Sequence, residues 1–333
     1  MRILVFSTHG YDRDSFASAS RERPDLEFDF TPVRLEARTA QLAAGFDAVC
    51  CFVEDEIDAV VLEALAARGT CLVLLRCTGY NNVDLPAAER LGMSVMRVSR
   101  YSPYAVAEFA AGLILTLNRK IHRAYNRVRE GNFRLGGLLG FDLHGKTAGI
   151  VGTGRIGTAL AHILNGFGCK LLAYDPHPSA ECIALGVRYV DLSELLAESR
   201  IVSLHLPLNP QTRHIIDANA LADICHGAML INTSRGALVD ASAVIDALKD
   251  GRLGAVGLDV YEEEGDMYFT DHSDQIIDDD VFARLLTFPN VVVTGHQAFF
   301  TSEAMKTIAQ TTLRNIDDHT AGRDSENRLR AAA

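Results

Sequence analysis

Short runs of Val, Ile, Leu and Ala alternate with longer segments of helical spacing from one end of the chain to the other. Unbroken apolar runs, rather than strictly alternating ones, suit strands buried on both faces of a parallel sheet whose crossover helices cover it. The pattern predicts strands at Ile3–Phe6, Glu27–Thr31, Ala48–Val53, Leu72–Arg76 and Ser94–Val98. A second series follows at Ala148–Val151, Leu171–Tyr174, Ile201–His205, Met229–Asn232, Ala255–Asp259 and Val291–Thr294. The first set makes one sheet unit and the second a six-strand sheet, so the class is α/β with two doubly wound parallel-sheet domains.

Between the two series, Ser102-Pro103 places a hydroxyl N-cap before proline at a first helical position. The helix it opens is apolar nearly all round through Leu117, which predicts burial on every side. It threads a domain interface, meets a partner subunit, or is a plain core helix. Arg119 to Arg129 reads as its more exposed continuation. Beyond Thr294 the segment Glu303–Asp318 has helical spacing and no further strand follows, so the chain closes on a helix. A length of 333 residues exceeds what one core usually supports, which predicts two domains with a cleft between them.

Composition narrows the partners. The 32 basic and 43 acidic residues give a net charge of −11 without a basic cluster, which disfavours nucleic acid and anionic membranes. The most apolar stretch, Tyr104–Leu117, is too short to span a bilayer and contains Glu108. Seven cysteines without a Cys-x-x-Cys pair read as free thiols. With no leader-like start, the cytoplasm is the expected compartment. No His-Glu-x-x-His or cysteine-paired histidine spacing occurs, so no metal is expected.

The most specific local signal is Gly152, Gly154 and Gly157 between the run Ala148–Val151 and a helix opening at Arg155. The first glycine permits the tight strand-to-helix turn, the second lets backbone approach a pyrophosphate, and the third lets helix pack on strand. Asp175 closes the next strand, where a carboxylate accepts hydrogen bonds from the adenosine ribose and repels a 2′-phosphate. No basic residue stands at Pro176, His177 or Pro178 to offset that repulsion, so NAD is favoured over NADP.

Sheets of this kind bind ligands at the carboxyl ends of their strands. Three later strands end in polar clusters: Asn232-Thr233-Ser234-Arg235-Gly236, Asp259 to Glu264, and Thr294-Gly295-His296-Gln297. Singly, Arg235 is an ordinary surface arginine, Glu262 to Glu264 a solvated turn and His296 a structural histidine. Their joint placement favours chemistry on a 2-oxo acid. A guanidinium grips a carboxylate through two parallel hydrogen bonds, and an imidazolium held by a carboxylate delivers a proton to a developing alkoxide. His205 suits packing or lining of the cofactor crevice, and Asp278-Asp279-Asp280 a helix start.

These motifs, with Arg76 to Asp84, Tyr101-Ser102-Pro103 and Thr116 to Glu130, resemble the D-isomer-specific 2-hydroxyacid dehydrogenases, most closely the fermentative bacterial D-lactate dehydrogenases. The likeness covers nearly the whole chain. It implies that Arg235 binds the substrate carboxylate and carbonyl, that His296 is the acid/base, and that Glu264 pairs with His296. Backbone N–H groups around Thr78 and Gly79, with the Tyr101 hydroxyl, would complete the carboxylate site, and Tyr101 and Phe299 would narrow the pocket. For the cofactor, the resemblance assigns Arg155 and Ile156 to the pyrophosphate turn. It assigns Leu206, Pro207, Thr212, Thr233, Ser234 and Asp259 to the lining from adenine to nicotinamide. It further implies a discontinuous, flavodoxin-like substrate domain from residues 1–100 plus 299–333, a Rossmann NAD domain from 101–298, and a homodimer or homotetramer. The implied reaction is reversible reduction of pyruvate to D-lactate by NADH. A bulkier 2-oxo acid such as phenylpyruvate or hydroxypyruvate is the alternative within the family, and a non-catalytic NAD sensor the alternative outside it.

Overall fold

The computed structural model describes residues 1–265 and 267–331. The chain divides into two units, Met1–Ser102 with the chain from Phe300 onward, and Pro103–Phe299. In chain order the first unit carries β1 (Arg2–Val5), β2 (Glu27–Phe30), β3 (Ala48–Cys51), β4 (Leu72–Leu75) and β5 (Ser94–Arg97). The second carries β6 (Thr147–Val151), β7 (Lys170–Tyr174), β8 (Arg188–Tyr189), β9 (Ile201–Leu204), β10 (Ala228–Asn232), β11 (Leu253–Leu258) and β12 (Val291–Val293). Strand β13 (Arg328–Leu329) returns to the first sheet.

In the first unit the sheet order is β13-β5-β4-β3-β1-β2. All pairings are parallel except β13 with β5, where Arg328 faces Met96 and Leu329 faces Val95. The expectation that no strand follows the last helix is therefore corrected: a two-residue strand carries no periodicity to detect. Its place is fixed instead by polar ties, Asn327 Nδ2 donating to Asn315 Oδ1 at 2.9 Å and Asn315 Nδ2 to the Arg97 carbonyl at 2.9 Å. Ile3, Cys50, Leu72 and Leu74 pack on Ala309, Leu313 and Ile316 of the helix Ser302–Thr320.

The carboxyl ends of these strands hold a buried polar knot. Arg76 donates to Asp12 Oδ1 at 3.3 Å and to the Ser7 carbonyl at 2.6 Å. Asp55 accepts from the Ser7 hydroxyl and from the N–H groups of Leu35 and Phe52. Buried charge persists only when paired and hydrogen-bonded in this way. Beside it, burial and then the Asp55 charge push Glu54 up from 4.5 to about 7. A raised carboxyl favours the fold while protonated, and that advantage is lost as pH climbs from 4.5 through 7. Glu54→Gln is accordingly expected to match the parent Tm at pH 4 and exceed it by a few degrees at pH 8. A Tm difference that does not change with pH would place this carboxyl in solvent.

In the second unit the order is β12-β11-β10-β9-β6-β7-β8, parallel throughout. A seventh strand, β8, thus joins the six expected. The order reverses between β6 and β9, and ligands bind outside the carboxyl ends of strands at such a point. The helix Pro103–Arg119 buries Ala107, Ala110, Leu113, Ile114 and Leu117 beside Leu160 and Leu164. It is not buried on every side: Tyr104, Glu108, Gly112 and Arg119 form an exposed stripe. Nor does it continue through Arg129, because Lys120 turns left-handed at φ 52° and starts a separate helix, Ile121–Arg129, with no buried residue. Of the acidic triplet, Asp279 caps the helix Asp280–Leu286 and also accepts from the Tyr261 hydroxyl at 2.7 Å.

Candidate active site

Gly152 and Gly157 are required by the chain's own atoms. Gly152 has φ 97°, and a Cβ there would lie 2.5 Å from the His205 carbonyl oxygen; at Gly157 a Cβ would lie 1.9 Å from the Gly152 carbonyl oxygen. Gly154 is different. It precedes the helix Arg155–Gly166, and a Cβ on it would meet no atom within 4 Å. The space its missing side chain leaves is outside the protein, at a helix N-terminus with unpaired N–H groups, which is the cradle a pyrophosphate needs. Arg155 and Ile156 form the first turn of that helix.

Asp175 follows β7, and its Oδ2 accepts from the Thr153 N–H at 2.6 Å while its Oδ1 accepts from the His177 N–H at 2.8 Å. Thr153, between the two glycines, was not singled out by the motif, whose pattern leaves that position open. After β9 come His205, Leu206 and Pro207. Burial pushes the His205 imidazole down to about 4, so it is neutral at pH 7, with Nε2 on the Ser203 hydroxyl at 2.9 Å and a buried Nδ1 that has no hydrogen-bond partner among the described residues. Thr233 Oγ1 is likewise buried with no partner among the described residues. Two orphaned polar atoms near the strand ends fit a ligand with hydrogen-bonding groups. Thr212 is engaged locally, its hydroxyl donating to the Pro207 carbonyl at 2.7 Å and accepting from the Asn209 N–H.

The catalytic candidates lie on three successive turns. After β10, Asn232 brackets its turn from both ends, Nδ2 donating to the Arg235 carbonyl at 2.8 Å and Oδ1 accepting from the Ser234 N–H at 3.0 Å. Ser234 Oγ donates to the Leu204 carbonyl, and Arg235 Nη1 to the Ser234 carbonyl at 2.6 Å. The next residue is pressed against the turn after β11: a Cβ on Gly236 would lie 2.0 Å from the Tyr261 carbonyl carbon. Arg235 and the acidic run are therefore joined backbone to backbone.

In that run Glu264 Oε2 accepts from the Tyr261 N–H at 3.0 Å, and Oε1 meets His296 Nδ1 at 2.9 Å. The structure thus brings together the expected carboxylate and imidazole. Glu262, by contrast, turns away to Arg213 and His214. His296 sits at φ 53°, a left-handed conformation that costs a non-glycine residue on the order of 1 kcal/mol. Asp259 holds it there. Its fully buried carboxylate accepts from the Thr294 hydroxyl at 2.5 Å and the N–H groups of Gln297 and Ala298, and its carbonyl accepts from the His296 N–H at 2.8 Å. This anchoring role was not read from the sequence, because its donors are mostly backbone.

In the first unit, Thr78 and Gly79 follow β4. The Thr78 hydroxyl donates to the Val98 carbonyl at 3.0 Å, and its own carbonyl accepts from Arg97 Nη1. Tyr101 stands one residue before the end of this segment at Ser102, and the half-buried Phe299 follows Ala298 in the second unit. Among the described residues, no three His, Cys, Asp or Glu side chains are grouped to hold a metal ion, and no helix is long and apolar enough to cross a membrane.

Residues 111–298 match the family described as D-isomer specific 2-hydroxyacid dehydrogenase, NAD binding domain. The whole chain is similar to a D-lactate dehydrogenase of Curvularia clavata, 55% identical over 99% of this chain and 95% of that one. It is also similar to the D-lactate dehydrogenase of Escherichia coli, 49% identical over 99% and 100%. The chain belongs to the D-isomer-specific 2-hydroxyacid dehydrogenases. A solved member of like fold, the pyruvate reductase of Chlamydomonas reinhardtii, superposes with a TM-score of 0.93 at 45% identity over 98% of both chains. The second unit of this dehydrogenase is thus an NAD-binding Rossmann domain, and both units are α/β with parallel sheets.

Proposed function

We propose that the protein reduces pyruvate reversibly to D-lactate with NADH. The observation that carries this reading is the Glu264–His296 contact on the strand-end turn beside Arg235. NADH, when bound, supplies the hydride that reaches the carbonyl carbon. Arg235 pairs with the substrate carboxylate and polarises the adjacent carbonyl. Because Glu264 occupies Nδ1, His296 delivers the proton to the carbonyl oxygen from Nε2, and the imidazole is left neutral to take the proton back in the reverse direction. Glu264 holds Nδ1 and so fixes the orientation of the ring, which leaves Nε2 as the nitrogen that faces the substrate.

For the cofactor, we assign the pyrophosphate to Gly152, Gly154, Arg155, Ile156 and Gly157, the ribose to Asp175, and the remaining lining to Leu206, Pro207, Thr212, Thr233, Ser234 and Asp259. Thr78, Gly79 and Tyr101 are assigned to the substrate carboxylate and Phe299 to the pocket wall. The substrate is small in this reading, as the names of the C. clavata, E. coli and C. reinhardtii relatives support. A panel of 2-oxo acids with NADH, followed by chiral analysis of the product, tests it. Fastest turnover on pyruvate with D-lactate as product is expected. Preference for phenylpyruvate or hydroxypyruvate moves the assignment within the family, and no turnover with any of them overturns it in favour of a sensor.

We also propose a homodimer or homotetramer. Ile121, Tyr125, Val128, Phe133, Leu135 and Leu139 expose large apolar side chains within one short stretch, the last at 88%, and such a cluster is characteristic of a subunit contact. Sedimentation equilibrium should give two or four times the chain mass of 36.3 kDa. The cytoplasm is the proposed compartment, supported by seven cysteines that are all free thiols; cell fractionation tests it.

A further inference from the structure

Three segments distant in sequence converge on Asp175: the glycine turn, the loop after β7, and the short strand β8. Besides its N–H, Thr153 gives its hydroxyl to Asp175 Oδ2 at 3.3 Å. The same Thr153 oxygen accepts from the Tyr189 hydroxyl at 2.8 Å, and the Tyr189 oxygen accepts from the Ser179 N–H at 2.8 Å. A hydroxyl has one proton to give. Since Ser179 already donates to Tyr189, the tyrosine proton goes to Thr153; since Tyr189 donates to Thr153, the threonine proton goes to Asp175. The dipoles run head to tail toward the carboxylate and reinforce one another.

Tyr189 is itself held firmly. In the parallel register of β7 and β8 it lies opposite Ala173, and the Val190 N–H donates to the Ala173 carbonyl at 2.9 Å. Its ring packs against the cluster that includes Leu160, Ala173 and Cys182. On the other side the Thr158 hydroxyl donates to the Thr153 carbonyl at 3.0 Å, tying the glycine turn to its helix.

We infer that Tyr189 is a specificity-determining positioning residue, whose hydroxyl fixes the Asp175 carboxylate through Thr153 and so sets the preference for NADH over NADPH. The inference rests on the assignment of Asp175 to the ribose. With the relay intact, Thr153 holds Oδ2 and the His177 N–H holds Oδ1, so the carboxylate charge stays fixed at the end of β7, where the assigned ribose would meet it and a 2′-phosphate would be repelled. Without it, the threonine hydroxyl is free to rotate and the carboxylate loses one of its three protein donors, weakening ribose binding and phosphate exclusion together.

The test uses the full chain, calorimetric binding of NADH and steady-state kinetics with both coenzymes. Tyr189→Phe keeps the ring and is expected to weaken NADH binding about five-fold, in line with one net hydrogen bond. The ratio of kcat/KM for NADH over NADPH should fall by at least the same factor. Thr153→Val should do the same, and the double variant should be no worse than Thr153→Val alone, because the chain is already broken. Unchanged NADH affinity in Tyr189→Phe, equal losses for both coenzymes, or additive effects in the double variant each overturn the relay. These results leave the proposed function intact so long as the parent binds NADH and turns over; a parent that binds no NADH overturns both.

Discussion

Replacing His296 by Gln is expected to lower kcat for 2-oxo acid reduction by about 10²- to 10⁴-fold, the usual worth of a positioned general acid, with the Kd for NADH close to that of the parent. Glutamine keeps the length and a polar end but has no proton to give at working pH. The size of the loss follows from how completely the surrounding chain is built to aim this one ring. Glu264 takes Nδ1 at 2.9 Å and is itself steered by the Tyr261 N–H. Phe269 lies with its ring centroid 5.8 Å from that of His296. Asp259 holds the left-handed backbone through its carboxylate and carbonyl. Single-turnover mixing of enzyme and NADH with pyruvate reads the chemical step directly. A loss under ten-fold, with the protein folded, would remove the imidazole from the proton transfer.

Much of this architecture is legible in the amino-acid sequence. Runs such as Leu72–Leu75 and Ala228–Asn232 are buried throughout, and unbroken hydrophobicity is the signature of a central parallel strand. The glycine spacing was legible because the chain's own backbone enforces two of the three positions. The features the sequence does not reveal have little periodicity or are made by backbone. Strands β8 and β13 are two residues each, and what places Tyr189 is its pairing with β7 and its hydroxyl contacts, not a pattern along the chain. The exposed stripe on Pro103–Arg119 was hidden because Tyr104 and Gly112 do not register as polar. The role of Asp259 depends on N–H groups of Gln297 and Ala298, which every residue but proline possesses. A sequence therefore shows which side chains are chemically able to act, and the folded backbone determines which of them are held in place.

Arg235→Lys is expected to raise the KM for pyruvate by about 10²-fold, since losing one of two charge-assisted hydrogen bonds costs roughly 1.5–3 kcal/mol and the point charge polarises the carbonyl less well. Charge is conserved in this variant, so the effect isolates the planar fork. The guanidinium is set by its own turn: Nη1 donates to the Ser234 carbonyl at 2.6 Å, Asn232 clamps the turn at both ends, and Gly236 lets the Tyr261 backbone close against it. Lysine lacks the second nitrogen needed both to anchor there and to reach the substrate. Affinity for NADH should stay near the parent value, because the cofactor contacts assigned above do not include this side chain. Arg235→Ala provides the stricter test. It should lose nearly all turnover at accessible pyruvate concentrations, and added guanidinium ion should restore part of it where ammonium does not. Equal recovery with both cations, or a KM within a few-fold of the parent in Arg235→Lys, would show that the substrate carboxylate is held elsewhere.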